Sequence, residues 1–311
     1  MQWGQIKTLF ILCFLLLDIY LLFLVLQNQG TEDLGLVQRE EEKQDHEQSL
    51  KSENISIPDD LPEKLPDEAN ISIRQKTFDK KEITSIKSMA NQDVEVVNDS
   101  FIISKIKEEI PIPENATNDG IAQLVSNTVY LGKDFRFHYW DEQRNILVFS
   151  QLKNNRPVYY NQNGILLVFL NDENEIIGYI QSFLGEPEKV QEEEKRPLIL
   201  PITAIHRLYE ANIVLPYDEV DEAEIVYHSR FPLDSGLQVL VPAWKISVNG
   251  KREHLVNAIE TIIISVSEDF IDNVIELSIE NTRSIKGRED FKEDMLEILT
   301  SKLNTNRSES T

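Results

Sequence analysis

Apolar residues run almost without interruption from Ile6 to Leu26, in IKTLFILCFLLLDIYLLFLVL, with Lys7, Thr8 and Asp18 as the main breaks. A helix of that length rises roughly 30 Å, which matches the hydrocarbon core of a bilayer. The pattern therefore predicts one transmembrane helix. The next segment, Gly30 to Ser52, is polar and acidic and has no sustained apolar stripe, as expected of a juxtamembrane linker or a frayed helix. Apolar patterning returns at Asn54 with ISIPDDLPEKLP, where Pro58, Pro62 and Pro66 exclude a long helix.

Ile71 and Ile73 begin a strand-like alternation. Asp79 with Glu82 three residues on is a capping-box pattern, followed by Ile83, Ile86 and Ala90 at helical spacing. VEVV and SFIISKI read as strands. Thr117 or Asn118 caps a second helix with Ile121, Leu124, Val125 and Thr128 on one face. Strand patterns then crowd together as DFRFHYW, NILVFSQL, PVYYN, GILLVFLN and EIIGYIQSF, separated by turn-prone joints such as Asn154-Asn155. Such spacing predicts an antiparallel meander. Gly185-Glu186-Pro187 and the charged run at 192–196 break it and mark a boundary. Beyond them Ile202, Ile205, Leu208 and Tyr209 share a helical face, with His206 and Arg207 off it. AEIVYHSRF, LQVLVPAWKISV, HLVNAI and TIIISV come next as strands, and Asn249-Gly250 is a strong hairpin signal.

One order thus occurs twice, a helix and then antiparallel strands. PVYYNQNGILLVFLNDENEIIGYIQSF and PAWKISVNGKREHLVNAIETIIISV share an aromatic strand, an Asn-Gly turn and two further strands. The predicted fold is α+β: one N-terminal transmembrane helix and two related modules of helix plus antiparallel sheet. The expected division is 1–28 for the cytoplasmic end and span, 29–52 for the linker, 53–192 and 193–283 for the modules, and 284–311 for an amphipathic helix and tail. Phe291, Met295, Ile298, Leu299 and Leu303 form that helix's stripe, which is expected to dock on the second module rather than bind a partner. The final NTNRSEST is expected to be disordered.

Charge gives the span a direction. Lys7 stands at its start, the next basic residue is Arg39, and Glu32 and Asp33 come after the apolar run. The positive-inside rule then places the N-terminus in the cytoplasm and the bulk outside the cell membrane. A cleaved signal peptide is the rival, but it needs a small-residue cleavage site, and LQNQGTEDLG offers none. The chain has 31 basic and 54 acidic residues, a net charge of −23, which argues against nucleic-acid binding and against docking on anionic lipid. Cys13, the single cysteine, lies in the apolar run, so the outer part uses no disulfides, as suits a Gram-positive exported protein.

Catalytic chemistry is hard to find. His46, His138, His206, His228 and His254 fall in no metal-ligand spacing, and His138 reads as a sheet histidine. Nucleophile-elbow and phosphate-cradle motifs are missing. Asp218-Glu219 and Asp221-Glu222 lack the ordered spacing of a calcium loop and read as a solvated face. No catalytic, cofactor or metal residues are assigned, and an exported hydrolase would rest on stray carboxylates alone. Asp18 does stand out, because an acidic side chain inside a span is costly and often marks a functional or helix-pairing position; the alternative is that it snorkels beside Tyr20.

The opening MQWGQIKTLFILCFLLLDIYLLFL resembles the start of the YycI (WalI) family of Gram-positive bacteria at Met1, Trp3, Lys7, Asp18 and Tyr20. NISIPDDLP resembles the family's short Ile/Pro segment, and LVPAWKISVNGKREHLVNAIETII its Pro-x-Trp and Val-Asn-Ala strands at Pro242, Trp244, Val256, Asn257 and Ala258. The resemblance covers residues 1 to about 268 and leaves the tail after Ser284 outside it. It implies a non-catalytic, single-span accessory protein of the WalK–WalR (YycG–YycF) two-component system, which controls cell-wall metabolism. The implied partners are a WalK-like sensor histidine kinase and a YycH-like membrane protein, with Trp3, Asp18 and Tyr20 as candidate contacts to partner helices. A second reading is a membrane-anchored binding module that resembles PepSY domains and takes a peptide or wall fragment as an added strand.

Overall fold

A computed structural model of the chain describes Lys7 and residues 10–21, 32–188, 195–232 and 236–304. Residues 10–21 are helical and exposed throughout. Among the described residues no helix is long and apolar enough to cross a membrane. Much of the expected span, the Met1–Trp3 motif, the boundary at 192/193 and the tail from 305 lie outside the described residues.

Helix α1 (Glu32–Ser52) occupies the segment read as a linker. Its last turns are anchored, for Leu50 is completely buried. Strand β1 (Ile71–Arg74) comes next, then α2 (Lys80–Lys87), which begins at the expected capping box. Asp79 accepts from the Lys81 and Glu82 amides, and Glu82 accepts from the Asp79 amide. Strands β2 (Gln92–Val97) and β3 (Phe101–Pro111) lead to α3 (Asn118–Thr128), capped by Thr117. Then come β4 (Phe135–Asp141), β5 (Ile146–Lys153), β6 (Arg156–Tyr159), β7 (Ile165–Leu170) and β8 (Glu175–Ser182). The second half holds α4 (Pro201–Glu210), β9 (Val220–Pro232), β10 (Leu237–Val248), β11 (Arg252–Asn257) and the two-residue β12 (Ile263–Ile264). Two helices close the described chain, α5 (Phe270–Arg283) and α6 (Glu289–Asn304).

Both halves carry the expected helix and antiparallel meander. In the first, β4, β5, β7 and β8 pair in that order. In the second, β9, β10, β11 and β12 do the same. The local repeat seen in the sequence is nevertheless set in a different register by the fold. Asn249-Gly250 joins the paired strands β10 and β11, whereas β6 does not pair with β7 across Asn163-Gly164. Instead β6 turns back on β5 through Asn154 and Asn155, both left-handed, and then runs parallel to β9. That parallel pair makes one twelve-stranded mixed sheet of the two meanders. Strand β1 also crosses the expected boundary, pairing Ile71–Arg74 with Leu237–Leu240 of β10.

Apolar side chains fill both faces of the first meander. Leu166, Val168 and Leu170 of β7 join Ile121, Val125 and Phe183 on one face. Ile165, Leu167 and Phe169 join Ile275, Met295 and Leu299 on the other. The C-terminal amphipathic helix therefore docks on the first half, which corrects the expectation of the second. Its companion α5 was not anticipated, and only Ile263–Ile264 of the expected strand TIIISV is extended. In the second half Trp244, Ile246 and Val248 of β10 pack with Ile202, Ile205 and Leu208 of α4 and with Leu50.

Candidate functional site

Two places concentrate features that the core does not need. The first is the helix at 10–21. Phe10, Phe14, Leu17, Tyr20 and Leu21 are each about half exposed or more, so the fold covers none of them. Asp18 lies on this helix with them. Asp18 and Tyr20 stand two residues apart, so they do not face the same side of a helix. Phe14 and Leu21, four before and three after Asp18, are its neighbours on that face. Trp3, the third candidate contact, lies outside the described residues.

The second place is the seam where the first meander meets the second sheet. A β-bulge falls between Phe137 and Tyr139 of β4, which gives His138 no partner of its own on β5. Bulges re-aim side chains, and here His138 turns its Nε2 to Oε2 of Glu253 on β11 at 2.8 Å. Its ring lies on that of Tyr159, with centroids 4.1 Å apart. Arg136 of the same strand grips both carboxylate oxygens of Glu224 on β9. Lys245 of β10 lies buried between Glu222 at 3.3 Å and Glu253 at 3.4 Å, with its Nζ over the Tyr159 ring. A groove of about 570 Å³ opens above these groups, edged by Tyr139 and Tyr160.

Electrostatics follow from the packing. Burial alone would push the Glu253 carboxyl up, but the His138 hydrogen bond and the Lys245 ammonium outweigh it and hold it at about 2. Burial pushes the Tyr139 phenol up to about 12 and Tyr160 higher as well. Each charged group in the seam thus faces an opposite charge already present. The arrangement fastens β4 to β9 and β11. Among the described residues no group of three or more His, Cys, Asp or Glu could hold a metal ion.

The sheet reading of His138 holds, though the sequence does not point to its partner, 115 residues away. Arg136 and Glu224 are 88 residues apart. His206, read as lying off the core face of α4, stacks on His46 of α1 with ring centroids 4.0 Å apart. Asp218 is no part of a solvated acidic face either, being buried and bound by Arg252 and Asn249.

A family model described as YycI protein matches residues 36–259, most of the folded body. No curated protein matches the chain. Among solved structures, the crystal structure of an uncharacterized protein from Eubacterium rectale is similar at 9% identity and a TM-score of 0.40. The likeness covers 68% of this chain and 89% of that one.

Proposed function

Because the chain belongs to the YycI family, we propose that it is a non-catalytic membrane regulator that adjusts a WalK-like sensor histidine kinase together with a YycH-like partner. The family is a regulatory accessory family of the WalK system, and that is the coarse role of this chain. In the finer reading residues 6–26 cross the cell membrane once, with the N-terminus in the cytoplasm and the body outside. The span packs against the spans of the kinase and its partner, and the body associates with their outer parts.

The observation that carries this reading is the helix at 10–21, whose apolar side chains have no cover within the fold, joined to a body that matches the family. Apolar surface left in water is unfavourable by about 25 cal/mol for each Å², so lipid or partner helices are its natural cover. Asp18 adds a polar group that gains from a hydrogen bond across helices, worth about 1 kcal/mol.

Replacing residues 6–26 by an unrelated apolar helix tests the reading in cells. Loss of kinase-dependent control of cell-wall genes is expected, and unchanged output would overturn it. Asp18→Leu should lower co-purification of the kinase about fivefold, the equivalent of that one bond.

A further inference from the structure

Helix α1 meets α4 through its last turns. His46 and Leu50 stand four residues apart and so share one face of α1. Leu50 is completely buried with Ile202, Ile205 and Leu208 of α4. The His46 ring lies flat on that of His206, with centroids 4.0 Å and planes 16° apart. Beside them a groove of about 400 Å³ opens between α1, the segment at 55–63 and the start of α4. Lys43 adds an ion pair to Glu63 at 2.6 Å, but an exposed pair of this kind holds little in water. The attachment of α1 is therefore narrow, and the ring stack is a main part of it.

The stack suits neutral rings. His46 Nδ1 is buried and has no hydrogen-bond partner among the described residues. In a neutral imidazole that nitrogen can stay a bare acceptor, whereas an imidazolium must carry a proton on it. A buried donor with nothing to accept from it costs its full desolvation. Two charged rings would also set like charges face to face. Glu210, one turn beyond His206, stands 3.8 Å from its Nδ1 and 3.3 Å from Arg207. Tyr209 bonds to Glu53, just past α1. On α1 itself Lys43 is held by Glu63 and Glu47, while Glu42 and Asp45 are exposed. Glu210 favours a proton on His206, but burial first and the His46 ring second outweigh it.

We propose that the His46–His206 stack is a pH-sensitive latch, which holds the end of α1 on α4 while both rings are neutral and lets it go when they take up protons in mild acid. The docked rings resist protons that freed rings accept, so release is favoured as pH falls through the ordinary histidine value of 6.5 and is absent well above it. In the regulator reading α1 lies between the span and the outer body, so the latch sets how firmly the two are joined. That consequence rests on the regulator reading, whereas the latch rests on the stack.

Hydrogen exchange of the full chain in lipid nanodiscs, corrected for intrinsic exchange and read at about pH 7.5 and about pH 5.5, tests the latch. Protection in the last two turns of α1 should fall about tenfold for each ring that takes up a proton on release, while β7 keeps most of its own. His46→Phe retains a stacked ring, and a charged His206 can rest on the phenyl face. In that variant α1 should stay protected at both values. His206→Phe should keep one step of about tenfold, that of His46 alone. Equal protection of α1 at both values in the unaltered chain overturns the latch. So does an acid response undiminished in His46→Phe and His206→Phe, or a loss as large in β7 as in α1, which would mean global unfolding. Kinase-dependent output of cells at the same two values separates the latch from its consequence. A latch that opens as expected, with output unmoved by His46→Phe, overturns only its link to the kinase. Unchanged output on replacement of the span overturns the regulator reading and leaves the latch standing.

Discussion

The two meanders share an order of elements and differ in what covers them. Strand β7 of the first is buried on both faces, with every residue from Ile165 to Leu170 inside. Strand β10 of the second divides its side chains. Trp244, Ile246 and Val248 turn into the apolar core under α4, while Lys245 turns to the polar seam. The difference comes from α5 and α6, which come after the second meander in the chain but close the open face of the first. A sheet needs an apolar cover on each apolar face, and here the cover for one half is supplied from beyond the other. The second half keeps a polar face, which meets β4 through the Arg136–Glu224 and His138–Glu253 pairs.

The largest break in this comparison is a chain ending at Ser267. It removes α5 and α6 and uncovers Ile103, Val148, Leu167, Phe169 and Ile180 among others. At roughly 1.5–3 kcal/mol for each large side chain, the loss exceeds about 10 kcal/mol, comparable with the whole stability of a domain. Aggregation or early proteolysis between β2 and β8 is expected, although every contact of β9 to β12 with α4 remains. Cooperative unfolding at the midpoint of the full chain would show that the two halves need their covers equally little.

Local chemistry was legible in the sequence where a local rule governs it. The Asp79–Glu82 capping box, the Thr117 cap and the Asn249-Gly250 hairpin stand where the pattern puts them. The run ILLVFL also reads correctly as a strand, but nothing within it says what lies over its second face. The signal for α5 was present in the spacing of Ile271, Val274, Ile275 and Ile279, and the preceding run TIIISV drew the reading toward strand instead. Strand β6 misled for another reason. Pro157 and Pro242 open similar-looking segments, yet β6 finds β9 across the chain by pairing that no short pattern records. The seam was hidden by abundance, since 54 acidic residues offer no way to single out Glu224 and Glu253. The candidate contacts in the span stood out because a carboxylate among hydrocarbon is rare.

Acid should open the polar seam and spare the doubly covered meander. Glu253 has its carboxyl held at about 2 against an ordinary 4.5, so its contribution is intact above 4.5 and is lost as pH falls toward 2. Histidines add an earlier stage. Burial and the neighbouring His46 ring lower His206, and burial lowers His228 and His254. Above the ordinary 6.5 these rings are neutral folded or unfolded, and below it the unfolded chain takes up protons that the folded rings resist. Stability should therefore decline in two stages as pH falls. Urea midpoints across this range test it, with the second stage smaller in Glu253→Gln but not abolished, since Asp218, lowered in spite of its burial by the bonds from Leu215 and Arg252, still contributes to it. That variant should cost about 2 kcal/mol at neutral pH by weakening the bonds from His138 and Lys245. A single-stage decline with Glu253 intact would show that the seam contributes nothing beyond shape.

The finest comparison lies between the two Asn-Gly steps that look alike in sequence. Gly250 has φ +63° and open space around an added Cβ, so glycine is needed there for its backbone conformation alone. Gly164 has no such φ, and an added Cβ would lie 2.9 Å from Cδ1 of the buried Leu184. One glycine serves a hairpin turn and the other a close approach. Gly250→Ala should then cost about 1 kcal/mol, and Gly250→Asn should regain most of it, because asparagine tolerates the left-handed region. The same Ala-to-Asn step at position 164 should regain nothing, since a larger side chain only deepens the clash with Leu184. Chemical denaturation of the four variants reads the contrast directly. Recovery by asparagine at both positions would mean that the two turns are equivalent after all, and that β6 owes its departure from the hairpin to β9 alone.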